Sequence, residues 1–278
     1  MIQPILQGEE FLADVRAANV KDGHFRLWWL GQSGFLVQWR SSHLLLDPYL
    51  SDSLTEKYAA TDKPHIRMTA RVVDPSRLDF VDVVTSSHNH TDHLDDETLR
   101  PLLRANPDLK IVVPEANRHF VAERLGIDRK LPVGLRDGES VKVGEFKLTA
   151  VPAAHEELGP EYLGYVVRFG EWTIYHSGDT ILYEGMAERL RQFPIDVALL
   201  PINGRAPERR VAGNLNARGA AELGKAIGAR VVIPCHYEMF TFNTADPREF
   251  AGAAKAVEQP YCVLRCGERL ESESLPER

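Results

Sequence analysis

No stretch of this chain approaches the ~18 consecutive apolar residues of a membrane span, which excludes a helical transmembrane protein. Its first residues, MIQPILQGEEFLADVRAANV, lack the basic start and 7 to 15 residue apolar stretch of a secretory signal. A cytoplasmic location is expected. Positive charge is also in deficit: 33 Lys and Arg face 40 Asp and Glu, for a formal charge of -7. No global positive field exists to gather nucleic acid or an anionic membrane. Cysteine is scarce, with Cys235, Cys262 and Cys266 alone, too few and odd in number for a disulfide framework. Cys262 and Cys266 share parity in YCVLRC and are expected on one face of a strand. Segments rich in Pro, Gly or Ser that could divide the chain are absent. One domain over 1–278 is expected, with residues 1–22 as an N-terminal helical extension.

Short β-branched runs separated by turn residues dominate, and beyond the extension helices are expected only after the first third of the chain. FRLWWLGQSGFLVQW and SSHLLLDPYL predict antiparallel strands, and VDVVTSS (81–87) a strand running into a histidine cluster. DDETLRPLLRAN has helical spacing of Leu99, Leu102 and Leu103, with Pro101 starting or kinking the helix. LKIVVP is a buried strand, and EANRHFVAERLG a helix stopped by Gly126. ESVKVGEFKLTAVPAAH predicts a hairpin ending at His155, and YLGYVVRFGEWTIYHSGDT one that turns at Gly170 and Glu171 and finishes at Asp179. IDVALLPING, a helix capped by Asn216 and ARVVIPCHYEMF close the pattern with a last strand ending at His236. Strands followed by strand-helix-strand, once per half, predict an α/β four-layer αββα sandwich.

Ligand-type side chains recur where these strands end. In SSHNHTDHLDDE, His88 and His90 alternate as on an extended segment and can reach one ion together. A turn at Thr91 would aim Asp92 and His93 at a second point. Divalent metals take imidazole and carboxylate at about 2.0 to 2.2 Å, and two-metal hydrolytic sites need a carboxylate between their ions. Asp179 is the natural bridge. His155 would complete a first group with His88 and His90, and His236 a second with Asp92, His93 and Asp179. His24, His43, His65 and His119 stand alone and are read as ordinary core or surface histidines. His176, three residues before Asp179, is read as structural or as a support behind the ligands.

HNHTDH fits the H-x-H-x-D-H motif of the metallo-β-lactamase superfamily. His155, Asp179 in SGDT and His236 in PCHY resemble its remaining metal motifs, in the expected order. Asp47 in LLLDPYL resembles the family's first motif, an aspartate that hydrogen-bonds beneath the metal loop. Within the superfamily, WWLGQSGFLV, YHSGDT and ARVVIPCHYEMF are similar to the branch containing L-ascorbate-6-phosphate lactonase. The resemblance implies the metallo-β-lactamase fold and a cytoplasmic hydrolase with two divalent ions, zinc or manganese, often homo-oligomeric. A relative of flavodiiron type would carry Glu where His90 stands, so hydrolysis is expected rather than redox chemistry.

Water held between two divalent ions loses its proton near neutral pH, and Asp92 is the expected catalytic residue that orients this nucleophile. GQSGF lacks the G-x-S-x-G spacing of a nucleophile elbow. In NGRAPERRVAGNLN, Arg205, Arg209 and Arg210 are candidates to grip an anionic substrate, guanidinium being suited to phosphate and carboxylate. Tyr49 and Tyr183 neighbour the motifs, and EELGPEYLG could form a rim. The expected partner is a small molecule such as a lactone or ester. A phosphodiesterase or ribonuclease Z-like activity is the alternative, although no basic arm for a polynucleotide is present, and a non-catalytic metal-binding scaffold is a third reading. Phe11, Leu12 and Val15 form a short apolar helical face, suited to an oligomer contact or to packing on the chain's own core.

Overall fold

Local turn chemistry and alternating burial build the fold from the N-terminus. The structure, a computed structural model, describes residues 1–17 and 23–277; residues 18–22 of the expected extension lie outside the described residues. Its helix is α1 (Glu9–Arg16). Strands β1 (Phe25–Gly31), β2 (Gly34–Trp39) and β3 (Ser42–Leu46) follow, then α2 (Ser53–Tyr58), β4 (Val83–Thr85), α3 (Asp96–Ala105), β5 (Lys110–Pro114), α4 (Arg118–Leu125) and β6 (Pro132–Leu135). The second half comprises β7 (Ser140–Val143), β8 (Phe146–His155), β9 (Glu157–Phe169), β10 (Trp172–His176), α5 (Met186–Leu190), β11 (Val197–Pro201), α6 (Ala217–Ala226), β12 (Val231–Cys235), α7 (Pro247–Ala256) and β13 (Arg269–Glu271).

These strands form a seven-stranded sheet, β13-β1-β2-β3-β4-β5-β6, and a six-stranded sheet, β12-β11-β10-β9-β8-β7. Each half begins with antiparallel hairpins and continues with parallel strands. Phe25 and Trp39 of the first sheet meet Phe169 of the second at ring-centroid distances of 5.5 Å each, so the sheets lie face to face. On the outer face of the first sheet, Trp28 packs on Phe11 and donates from Nε1 to Asp14 Oδ2 at 2.8 Å. Helices cover the outer faces, giving the expected four-layer αββα sandwich. That cover explains why β1, β2 and β11 are buried almost throughout rather than at alternate residues. Phe11, Leu12 and Val15 are fully buried in the chain's own core.

Two expected caps are present: Gly126 ends α4 at φ 68, and Asn216 Oδ1 accepts from Gly219 N at 2.8 Å to begin α6. α3 continues through Pro101 instead of starting there. Other expectations are corrected. α2 is a helix within the first third, and β6 and β13 were not foreseen. EELGPEYLG is no loop rim: β9 starts at Glu157 and pairs with β8 through Ala154 and Leu158. Cys262 and Cys266 occupy a non-strand segment, joined to β12 by the isolated bridge of Val232 with Tyr261.

Candidate metal centre

All seven expected ligands hang from strand ends on one side of the sandwich. Beyond β4 the chain stays extended to Ser86, whose N–H donates to Val112 O at 3.0 Å. A turn follows at Thr91, with the N–H groups of His93 and Leu94 both donating to His90 O at 3.0 and 2.8 Å. It sends His88 and His90 one way and Asp92 and His93 another. His155 ends β8, while Asp179 and His236 follow β10 and β12.

The ligand atoms of His88, His90 and His155 lie within 4.8 Å of one another, as do those of Asp92, His93, Asp179 and His236. His155 Nε2 is 3.2 Å from His90 Nδ1. His93 Nε2 is 3.3 Å from Asp179 Oδ1, and His236 Nε2 is 3.5 Å from both Asp92 Oδ2 and Asp179 Oδ2. Asp179 Oδ2 is also 3.8 Å from His155 Nε2, so this carboxylate stands between the two groups. Atoms that share one ion at ~2.1 Å are roughly 3 to 3.5 Å apart, and these spacings are close to that range.

Proton positions test whether the set fits a cation. His93 Nδ1 donates to Asp47 Oδ2 at 2.7 Å and His155 Nδ1 to Gly213 O at 3.0 Å, which turns each Nε2 towards the site, where a cation would replace any proton it carries. His88 Nδ1 donates to Ser87 Oγ at 3.0 Å. Among the described residues, His88 Nε2, His93 Nε2 and Asp179 Oδ1 are buried without a hydrogen-bond partner. Unsatisfied buried acceptors are costly, and a divalent cation is the species that satisfies imidazole and carboxylate lone pairs together. The residues fit.

Electrostatics agree. Burial, then the neighbouring His93 and His90, pushes His88 well below its usual pKa and keeps it neutral. Burial also opposes charge on His93, but the carboxylates of Asp179 and Asp92 outweigh it and push its pKa well up. Conversely, Asp92 and Asp179 are held well below the ordinary carboxylate range because nearby His93 and His236 overcome the cost of burial. Asp47 lies beneath the loop as expected, fully buried, accepting from Ser87 N at 3.1 Å and Thr85 Oγ1 at 2.7 Å. His176 is buried, and its Nε2 donates to Ser33 O at 2.9 Å.

A cavity of about 320 Å³ opens over the centre. Of the three candidate arginines only Arg210 lines it, and Arg210 also pairs with Asp62. Arg205 is turned away onto Glu156, and Arg209 donates to Asn243 Oδ1 at 2.6 Å and Asn203 O at 2.7 Å. Those two fasten their loop instead of facing a ligand. Glu156 holds the same loop a second time, accepting from Gly213 N at 2.7 Å. Tyr49 and Tyr183 spend their hydroxyls on Leu54 N and Pro152 O and do not border the cavity.

Several lining residues were missed, among them Gln32, Lys57, Lys63, Arg124 and His65. Gln32 Nε2 donates to Asp92 Oδ2 at 2.8 Å, and its carbonyl accepts from His236 N at 3.0 Å. It holds φ 50, as His236 holds 65 and Asp47 39, so left-handed backbone at non-glycine residues gathers around the centre. No sequence pattern announces these contacts; a glutamine between two turn glycines was the only signal.

The family model of the beta-lactamase superfamily domain matches residues 43–237. A UPF0173 metal-dependent hydrolase of Pyrococcus furiosus is 31% identical over 257 residues, covering 88% of this chain and 99% of that protein. One from Caldivirga maquilingensis is 30% identical over 232 residues, covering 83% and 90%. Igni18, a metallo hydrolase from Ignicoccus hospitalis, is similar in structure with a TM-score of 0.66 at 23% identity, over 89% of this chain and 98% of its own. That last likeness concerns the fold.

Proposed function

The chain belongs to the UPF0173 metal-dependent hydrolases of the metallo-β-lactamase superfamily, and on that premise we propose that it opens a small anionic lactone or ester, as L-ascorbate-6-phosphate lactonase does, using two divalent ions, zinc or manganese. One observation carries the reading: two groups of convergent ligand atoms, among them the partnerless His88 Nε2, His93 Nε2 and Asp179 Oδ1, lie beneath a cavity whose wall bears Lys57, Lys63 and Arg210. His88, His90 and His155 would hold one ion, and Asp92, His93 and His236 the other, with Asp179 shared. Bound ions of this kind lower the pKa of a coordinated water and stabilise negative charge developing on a carbonyl or phosphoryl oxygen.

The chain's own groups supply the rest. Asp47 fixes the His93 ring through Nδ1, and Gln32 fixes the Asp92 carboxylate, so that Asp92 can accept a hydrogen bond from the attacking water. Lys57 has no carboxylate partner among the described residues; its Nζ donates to Thr91 Oγ1 at 3.4 Å, beside the metal loop, and lies 5.3 Å from the centroid of the Tyr58 ring. An ammonium placed there favours a substrate with a phosphate or carboxylate. The same cations suit a small phosphodiester, which is the second reading.

Proton release by metal-loaded protein on lactones, phosphorylated lactones and small phosphodiesters tests this, with Asp179→Ala as the blank. Turnover of the phosphorylated lactones is expected, and Lys57→Gln should raise KM for them several-fold while sparing neutral esters. Equal losses on both would refute the anionic class, and cleavage of phosphodiesters alone would favour the second reading.

A further inference from the structure

The loop between α2 and β4 contributes a histidine that no metal motif includes. His65 lines the same cavity as His90, Asp92, His155, Asp179 and His236, and its ring is fixed from several sides. Tyr58 lies at 4.4 Å between ring centroids, Phe242 at 5.1 Å and Phe240 at 5.3 Å. Its backbone is pinned too. Thr55 Oγ1 donates to His65 O at 2.7 Å, Thr241 N donates to Ile66 O at 2.9 Å, and Arg67 forms a bridge with Phe240. Such a ring cannot swing away to solvent without breaking both attachments.

Its tautomer is determined by one contact. Nδ1 lies 2.8 Å from Lys63 O, and a carbonyl only accepts, so Nδ1 carries the proton. Nε2 is then a lone pair, and it has no hydrogen-bond partner among the described residues. Burial holds the imidazole below its ordinary pKa, so it is neutral at pH 7. This arrangement, a carbonyl orienting one nitrogen so that the other can exchange a proton, is what acid–base catalysis asks of histidine.

Resting on the hydrolase reading above, we propose that His65 is a catalytic proton shuttle for the leaving group. The attacking water gives its first proton to solvent as it joins the acyl carbon, and His65 Nε2 then takes the proton that the added oxygen still carries. The imidazolium delivers that proton to the leaving oxygen as the carbon–oxygen bond breaks, yielding carboxylate and alcohol. Water is the only co-reactant. The aromatic shelf of Tyr58 and Phe240 keeps bulk water from competing for the proton.

The test pairs two esters of one acyl group, one with an alkoxide leaving group and one with p-nitrophenoxide, which departs without protonation. His65→Gln, and His65→Phe as a second variant that retains a ring against Tyr58 and Phe240, are compared with wild type at equal metal content and equal melting temperature. On the alkyl ester kcat should fall ~10²-fold or more, in the range of general acid–base catalysis, with little change on the p-nitrophenyl ester. Nitrogen-15 NMR of metal-free protein should show His65 protonated at Nδ1. An Nε2–H tautomer, or equal losses on both esters, would overturn the role of His65. Silence of the fully metallated wild type on both would instead overturn the hydrolase reading and the shuttle with it.

Discussion

Replacing Asp47 by Asn tests the centre from beneath, because it removes a charge while leaving the shape. Asp47 lies at φ 39, a conformation Asn adopts readily, so the backbone introduces no strain of its own. Its carboxylate accepts from Ser87 N, Thr85 Oγ1 and His93 Nδ1. Hydrogen bonds to a charged group contribute about 1.5 to 3 kcal/mol each. Asn can still accept at one oxygen, but it brings no charge to hold the His93 ring, and with its amide nitrogen in the place of Oδ2 it opposes the N–H of His93, donor against donor. His93 must then turn or shift its proton to Nε2, the nitrogen needed for the ion. Metal affinity should fall about 10- to 100-fold, the usual effect of losing a partner behind a ligand, or about 1.4 to 2.7 kcal/mol. Asp47→Ala, which strands four buried donors, the Ser87 hydroxyl included, should cost about 3 to 5 kcal/mol of folding stability. Competition with a chromophoric chelator measures the first and urea unfolding the second. Wild-type affinity in a folded Asp47→Asn protein would refute the assignment of Asp47 as the support of His93.

Chelation is expected to lower the melting temperature, since the lone pairs of His88, His93 and Asp179 lose their partner; saturation at ~100 times Kd corresponds to about 2.7 kcal/mol, and identical melts with and without metal would contradict it. Gly178→Ala should weaken both stability, by about 1 to 3 kcal/mol, and metal binding. The added Cβ at φ 60 would come within 2.6 Å of Ser87 Cβ, displacing the residue that joins Asp47 to His88; an unchanged urea midpoint would tell against this. Burial depresses the pKa of His43 below its ordinary 6.5. Its neutral form is therefore present in both states above that pH, and the unfolded chain takes the proton first as pH falls. Stability should decline as pH drops from 6.5 towards the folded-state pKa, and His43→Gln should reduce that slope in urea midpoints measured across the window; an undiminished slope would refute the assignment.

What could be read from sequence was what local pattern specifies. β1 to β3, the turn at Gly170, the Gly126 stop and the Asn216 cap all depend on neighbouring residues. β6 and β13, four and three residues long, depend on distant partners, β5 and β1, and carry no alternation to betray them. The same division runs through the site. Three histidines and an aspartate in six positions announce a metal loop, whereas Gln32 and His65 matter only because the fold brings them to the cavity. Arg205 and Arg209 illustrate the converse: their charge was visible, but Glu156 and Asn243, which engage them, are far away in sequence.

His88 to His93 hang from the seven-stranded sheet, while His155, Asp179 and His236 hang from the six-stranded one. Sliding any one of these strands by a single residue moves its ligand about 3.3 Å. That is as far as His93 Nε2 lies from Asp179 Oδ1, 3.3 Å, so one slip empties the place where the groups converge. The centre is thus a gauge of strand register across the whole sandwich, and a chain in which these side chains converge has both sheets aligned to within one residue.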